Sequence, residues 1–139
     1  MPSGHCLCGA VSFEVDGELP GPDACHCSMC RRWSGHYWAS TDLPRDRVTI
    51  RGEDQIRWYQ SSEKVRRGFC ARCGSVLFFD PPARAWIAIA MGAFDQPTGT
   101  TLGKHIFTAD KGDYYEIADG LPQDPQWVPA PPPAAIDGG

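Results

Sequence analysis

Short runs of alternating apolar and polar residues, broken by Gly, Pro, Asp and Ser, make up most of this chain. Large apolar side chains take every second position at Val11, Phe13, Val15 and again at Ile87, Ile89, Met91. That is the two-residue period of a strand with one face turned to a core. On this pattern residues 11–15, 37–40, 47–51, 56–60, 75–79, 86–91, 105–108 and 114–117 are predicted strands. One helical turn is expected at residues 28–33, with Ser28 as its N-cap. No segment repeats another. From Pro122 onward the chain carries six of its 13 prolines, which leaves too few backbone donors for a sheet. Residues 1–123 therefore read as one all-β domain of small antiparallel sheets, and residues 124–139 as an extended or disordered Pro/Ala/Gly-rich tail.

The cysteines add chemistry to that outline. There are seven, in three clusters: Cys6 and Cys8, then Cys25, Cys27 and Cys30, then Cys70 and Cys73. An odd number cannot pair completely within one chain, and clustered thiols in a reducing compartment favour a metal. Cys70 and Cys73 form a C-x-x-C knuckle that needs two further thiolates to close a tetrahedron, and Cys6 with Cys8 supplies them. Cys25, Cys27 and Cys30 are left as a three-thiolate set, the arrangement of a zinc site with one open position. That set also has a closed alternative, with His26, His36 or His105 as fourth ligand. A redox dithiol is disfavoured because no βαβ pattern frames the motif.

Charge narrows the partners. The net charge is -4 with a pI near 5.4, which gives no basic face for nucleic acid. No apolar run approaches the ~18–20 residues of a membrane-spanning helix, and residues 1–5 lack a charged leader and apolar core, so a cytoplasmic location is expected.

The ordered motifs C-x-C-G (from Cys6), C-H-C-x-x-C-R-R-x-x-G (Cys25 to Gly35) and F-C-x-x-C-G-S (Phe69 to Ser75) resemble the glutathione-dependent formaldehyde-activating family, which includes centromere protein V. Lys104-His105-Ile106-Phe107 and Asp119-Gly120-Leu121-Pro122 are similar to its C-terminal signature. The resemblance implies a zinc-pinned β-tent with two zinc ions per chain. One would be structural, on Cys6, Cys8, Cys70 and Cys73. The other would be catalytic, on Cys25, Cys27 and Cys30. It also implies reversible addition of glutathione to formaldehyde, a carbon–sulfur lyase reaction whose partners are a small thiol and an aldehyde. The related methionine sulfoxide reductases need a further reactive cysteine near the C-terminus, and no cysteine follows Cys73.

A metal with three thiolate ligands suits a soft incoming thiolate better than hydroxide. Arg31 and Arg32, directly after Cys30, are expected to offset the thiolates or to hold a substrate carboxylate. His105 is the candidate general acid or base, since histidine titrates near neutrality, while His26, set between two ligands, is expected to point away from the metal. Trp33, Tyr37, Trp38 and Trp58 are candidate pocket walls or core. Arg66, Arg67 and Lys104 are candidate carboxylate grips or outer-face charges. Two rival readings remain at this point: a non-catalytic zinc module that binds a protein partner, and a zinc hydrolase of another small substrate.

Overall fold

The computed structural model describes residues 1–126, and most of the expected tail, residues 127–139, lies outside the described residues. Ten strands and one α-helix succeed one another: β1 (Ser3–His5), β2 (Ser12–Val15), β3 (Asp23–Cys25), α1 (Ser28–Ser34), β4 (Trp38–Pro44), β5 (Val48–Arg51), β6 (Ile56–Gln60), β7 (Arg66–Cys70), β8 (Val76–Asp80), β9 (Trp86–Ala90) and β10 (Lys104–Ile106). They form a three-stranded sheet in the order β1-β2-β5 and a seven-stranded sheet in the order β10-β3-β4-β9-β8-β7-β6. Every ladder is antiparallel except β10 with β3.

The seven-stranded sheet is covered on both faces, and its central strand β9 shows why the fold is stable. Ile87 and Ile89 enter a core with Leu43, Phe78, Phe13 and Val15, beneath the three-stranded sheet. Trp86, Ala88 and Ala90 face the other way, into a cluster with Trp38, Cys25, Cys30 and Ile106, beside α1. All five residues of β9 are buried, so its run is apolar throughout, as expected of a strand covered twice. Burying such side chains contributes roughly 1.5–3 kcal/mol each.

Three sequence expectations are corrected. Residues 114–117 form no strand. The outer edge of β10 is already taken by Gln123, with Asp124 N–H donating to His105 C=O at 2.9 Å, so no ladder is left for them to join. The helix is capped by Cys27 rather than Ser28, its Sγ accepting from Cys30 N–H at 3.3 Å. Strands β1, β3 and β7 were not among the predicted runs, because Ser3-Gly4-His5, Asp23-Ala24-Cys25 and Arg66-Arg67-Gly68-Phe69-Cys70 lack apolar alternation.

Candidate metal centres and the cavity beside them

Cys6 and Cys8 lie in the turn after β1, Cys70 ends β7, and Cys73 lies in the turn that follows it. Their four sulfurs lie within 4.8 Å of one another. Cys8 Sγ is 3.7 Å from both Cys6 Sγ and Cys70 Sγ, close to the roughly 3.8 Å edge of a tetrahedron built on Zn–S bonds of about 2.3 Å. Backbone N–H groups of Val11 and Arg72 donate to Cys6 Sγ and Cys70 Sγ at 3.3 and 3.4 Å. Gly9 and Gly74 close the two turns at φ of 82° and 78°, a conformation that glycine enters without steric cost. Leu7 N–H donates to Ser75 Oγ at 3.0 Å, tying the turns together. The donor set fits zinc, and an ion here would staple the small sheet to the large one.

The second group is built by β3 and α1. Cys25 ends β3, level with Trp38 of β4 and Ile106 of β10; Cys27 is the helix cap and Cys30 stands in the first turn. Their sulfurs also lie within 4.8 Å of one another, and among the described residues no histidine nitrogen joins them. Hydrogen bonds from Cys25 and then Cys30, with the Cys30 N–H and the Arg67 charge adding, hold the Cys27 thiol far below its ordinary range. The same sharing with Cys27 drives Cys25 upward. Three sulfurs competing for protons in this way are a soft donor set ready for a thiophilic cation.

The three thiols open onto a cavity of about 480 Å³, whose wall includes Trp38, Arg67, Phe79, Trp86, Ile106 and Phe107. Arg67 is only 4% exposed. Its Nη1 donates to Cys30 Sγ at 3.4 Å, and its guanidinium stacks 5.2 Å from the Trp33 and Phe79 ring centres. Asp23 and Asp42 also line the cavity. Burial pushes the Asp42 carboxyl up to about 7, with the Asp23 charge adding and Lys104 opposing. Burial likewise raises Asp23 to about 6, against the pull of Lys104. Among the described residues, the buried donors Arg31 Nε, Trp38 Nε1, Arg67 Nε and Trp86 Nε1 have no partner.

The other expected site residues lie elsewhere. Neither Arg31 nor Arg32 borders the cavity, and Arg32 is exposed; Arg67 stands in the thiolate-facing place expected of them. His105 pairs with Ala24 while Ile106 pairs with Cys25, so alternation turns the His105 ring away from the cavity. It meets His26 instead, His26 Nε2 to His105 Nδ1 at 2.8 Å, and its Nε2 lies 2.7 Å from Asp119 Oδ2. His26 Nδ1 lies 2.5 Å from the Tyr115 hydroxyl, so His26 does point away from the sulfurs. Burial, then the neighbouring His105, lowers the His26 pKa to about 4. Of the four aromatic candidates, Trp38 borders the cavity, Trp33 packs against it, Tyr37 meets His26, and Trp58 stacks on Phe78 in the opposite core. Among the other cations, Arg66 and Arg45 bind the buried Asp80, and Lys104 lies 3.7 Å from Asp124.

Asp23, Asp42 and Trp86 are wall residues that sequence reasoning passed over, and Arg67, expected as a carboxylate grip or an outer-face charge, lines the same wall. The signal for Asp42 was its place two residues beyond Ser40 and four beyond Trp38, a lone acid in phase with an inward-facing aromatic.

Known proteins are similar in sequence and in fold. The family model for the glutathione-dependent formaldehyde-activating enzyme matches residues 1–110. A Halomonas elongata protein, provisionally named a glutathione-dependent formaldehyde-activating enzyme, is 31% identical over 124 residues, covering 82% of this chain and 79% of its own. An uncharacterised lyase of Schizosaccharomyces pombe is 27% identical, with 84% and 85% covered. A Rhodobacter sphaeroides protein of known crystal structure shares the fold, with a TM-score of 0.58 at 24% identity over 68% of this chain and 88% of that one. Among the described residues no helix is long and apolar enough to cross a membrane. With its cysteine motifs in order and the family model matching most of its length, the chain belongs to the glutathione-dependent formaldehyde-activating family.

Proposed function

We propose that this protein is a zinc-dependent carbon–sulfur lyase-type enzyme that reversibly adds a small thiol such as glutathione to an aldehyde such as formaldehyde. The observation that carries the reading is the three-thiol group, Cys25, Cys27 and Cys30, opening onto a cavity of about 480 Å³. These three residues would hold the catalytic zinc, and Cys6, Cys8, Cys70 and Cys73 the structural one. When bound, zinc keeps an incoming thiol ionised at neutral pH. The sulfur lone pair forms the new bond to the carbonyl carbon, the C=O π pair moves to oxygen, and the thiol's proton ends there, giving a hemithioacetal.

The chain's own residues would position the reactants, which is most of what an already facile addition requires. Arg67 offsets the charge of Cys30 and keeps the triad from repelling an anionic thiol. Phe79, Trp86, Ile106 and Phe107 limit water around the carbonyl. His105 is a positioning residue in this scheme, bracing His26 between Cys25 and Cys27. Arg31 and Arg32 directly follow Cys30 without bordering the cavity, and would act on an approaching anion only through its wider field.

The test is magnetisation-exchange NMR of glutathione and formaldehyde, which separates catalysed from spontaneous interconversion. Zinc-loaded protein should accelerate exchange, and Cys27→Ser should abolish the acceleration while the fold persists. Exchange no faster than in buffer, with glutathione and every other small thiol tried, would sink the reading.

A further inference from the structure

Phe107 holds a strained backbone conformation at the cavity wall. Its φ and ψ of 54° and 38° lie in the left-handed region, and among the described residues it is the only non-glycine residue with positive φ. Glycine takes that conformation without steric cost, whereas a bulky residue keeps it only where its surroundings fix it. Here they do. Asp110 N–H donates to Phe107 C=O at 3.1 Å, and the Thr108 and Ala109 N–H groups donate to the Asp124 and Pro125 carbonyls at 3.1 and 3.3 Å. Thr108 Oγ1 donates to the same Asp124 oxygen at 3.1 Å. Strand alternation shows what the strain achieves. His105 faces away from the cavity and Ile106 lines it, so an extended Phe107 would follow His105 to the far side. The left-handed turn sends it back. Ile106 and Phe107, consecutive in sequence, both line the cavity, and Phe107 packs against the cluster that holds Cys25 and Cys30.

Resting on the thiol–aldehyde reading above, we propose that Phe107 is a specificity-determining residue. Its ring limits the size of the group that can stand on the carbon bonded to the reacting sulfur, so the carbonyl partner must be small and unbranched. The place in the fold agrees: Ile106 is level with Cys25 on the neighbouring strand, and Phe107 is the next residue. Other rings around the cavity are held by one another. Phe79 stacks on Trp86 at 5.9 Å, Trp33 meets Trp38 at 5.3 Å, and Arg67 lies 5.2 Å from both Trp33 and Phe79. Phe107 has no aromatic partner of this kind among the described residues, so its own backbone aims its ring. An adduct of the simplest aldehyde carries two hydrogens and a hydroxyl on the carbon next to sulfur. A branched aldehyde puts a bulky alkyl group on that carbon, and the ring leaves it no room.

The test uses the full chain with cobalt in both metal sites, whose absorption changes when a further sulfur enters the three-cysteine centre. The probes are ethanethiol and 2-methyl-2-propanethiol, because branches on the carbon next to sulfur stand where an aldehyde's substituent would stand. The wild type should take ethanethiol at a concentration roughly 10-fold or more below that needed for the branched thiol. Phe107→Gly, which relieves the backbone and removes the ring, should bring the two concentrations together, and Phe107→Tyr should keep them apart. In magnetisation exchange, Phe107→Gly should raise the rate with 2-methylpropanal relative to that with formaldehyde. Equal concentrations for the two thiols in the wild type, or no spectral change with either, overturn the proposal without relying on any variant. So does an undiminished difference, or an unaltered aldehyde ratio, in Phe107→Gly that retains both metal ions and its melting temperature. The thiol titration needs no turnover. Discrimination that vanishes in Phe107→Gly supports the size limit even if exchange is no faster than in buffer, and accelerated exchange beside equal thiol binding leaves the lyase reading standing without it.

Discussion

Both ring nitrogens of His26 and of His105 are engaged, and a neutral assignment of the protons closes the chain. The Tyr115 hydroxyl donates to His26 Nδ1, His26 Nε2–H to His105 Nδ1, and His105 Nε2–H to Asp119. Asp119 is itself held below the usual carboxylate range, first by the Leu121 N–H and then by His105. Such a row is worth most when complete, since removing one member strands buried partners. His105→Asn should therefore lower stability by about 1–3 kcal/mol, visible as a falling melting temperature. Zinc affinity at the three-cysteine site should weaken roughly 10-fold as His26 loses its brace. Turnover reduced by about 10²–10⁴ with stability and zinc affinity unchanged would instead return His105 to the role of acid or base toward substrate. Its place was legible only in part: the histidine stood out, but which face it took depends on the register of β10 against β3, which local sequence does not encode.

At the scale of elements, sequence period read the long apolar runs and missed the short polar ones. Residues 86–91 and 75–79 are recognisable because β9 and β8 bury side chains on both faces. Strands β1 and β3 have three residues each, too few for alternation to register, and they are fixed by neighbours and by the cysteines that end or follow them. The cysteine spacing supplied what the period could not, since both groups assemble as their motifs suggested. The two groups differ in what they join. Cys6, Cys8, Cys70 and Cys73 connect separate sheets, whereas Cys25, Cys27 and Cys30 lie within six consecutive residues. Binding that links distant segments is coupled to folding. Cys73→Ser should thus remove one zinc and lower the melting temperature by tens of degrees or prevent folding, by analogy with metal-dependent small domains. Cys27→Ser should remove the other zinc at a cost of only about 1–2 kcal/mol, near that of losing a helix cap. Elemental analysis with circular dichroism checks both, and equal unfolding of the two variants would make the second site structural.

Across the whole molecule, one face of the seven-stranded sheet is a closed apolar core and the other is kept partly open. The open face holds the half-buried acids Asp23 and Asp42, so part of the fold's stability is given up where a ligand is to be received. This gives a pH signature whose sign can be worked out. The Asp42 carboxyl rises from 3.8 to about 7 on folding, so between those values the folded chain holds a proton that the unfolded chain has released. Stability must then fall as pH rises through this window, and the penalty is complete above about 7. Metal binding to thiolates runs the opposite way, gaining with pH, so the raw curve mixes the two. The difference between wild type and Asp42→Asn, at matched zinc content, cancels the metal contribution. Thermal melts from pH 4.5 to 8 should show Asp42→Asn gaining on the wild type as pH rises, with most of the change between roughly pH 5 and 7. A difference that does not vary with pH would mean that Asp42 is hydrated and ionised in the folded protein, and the cavity's acidic end would lose its significance.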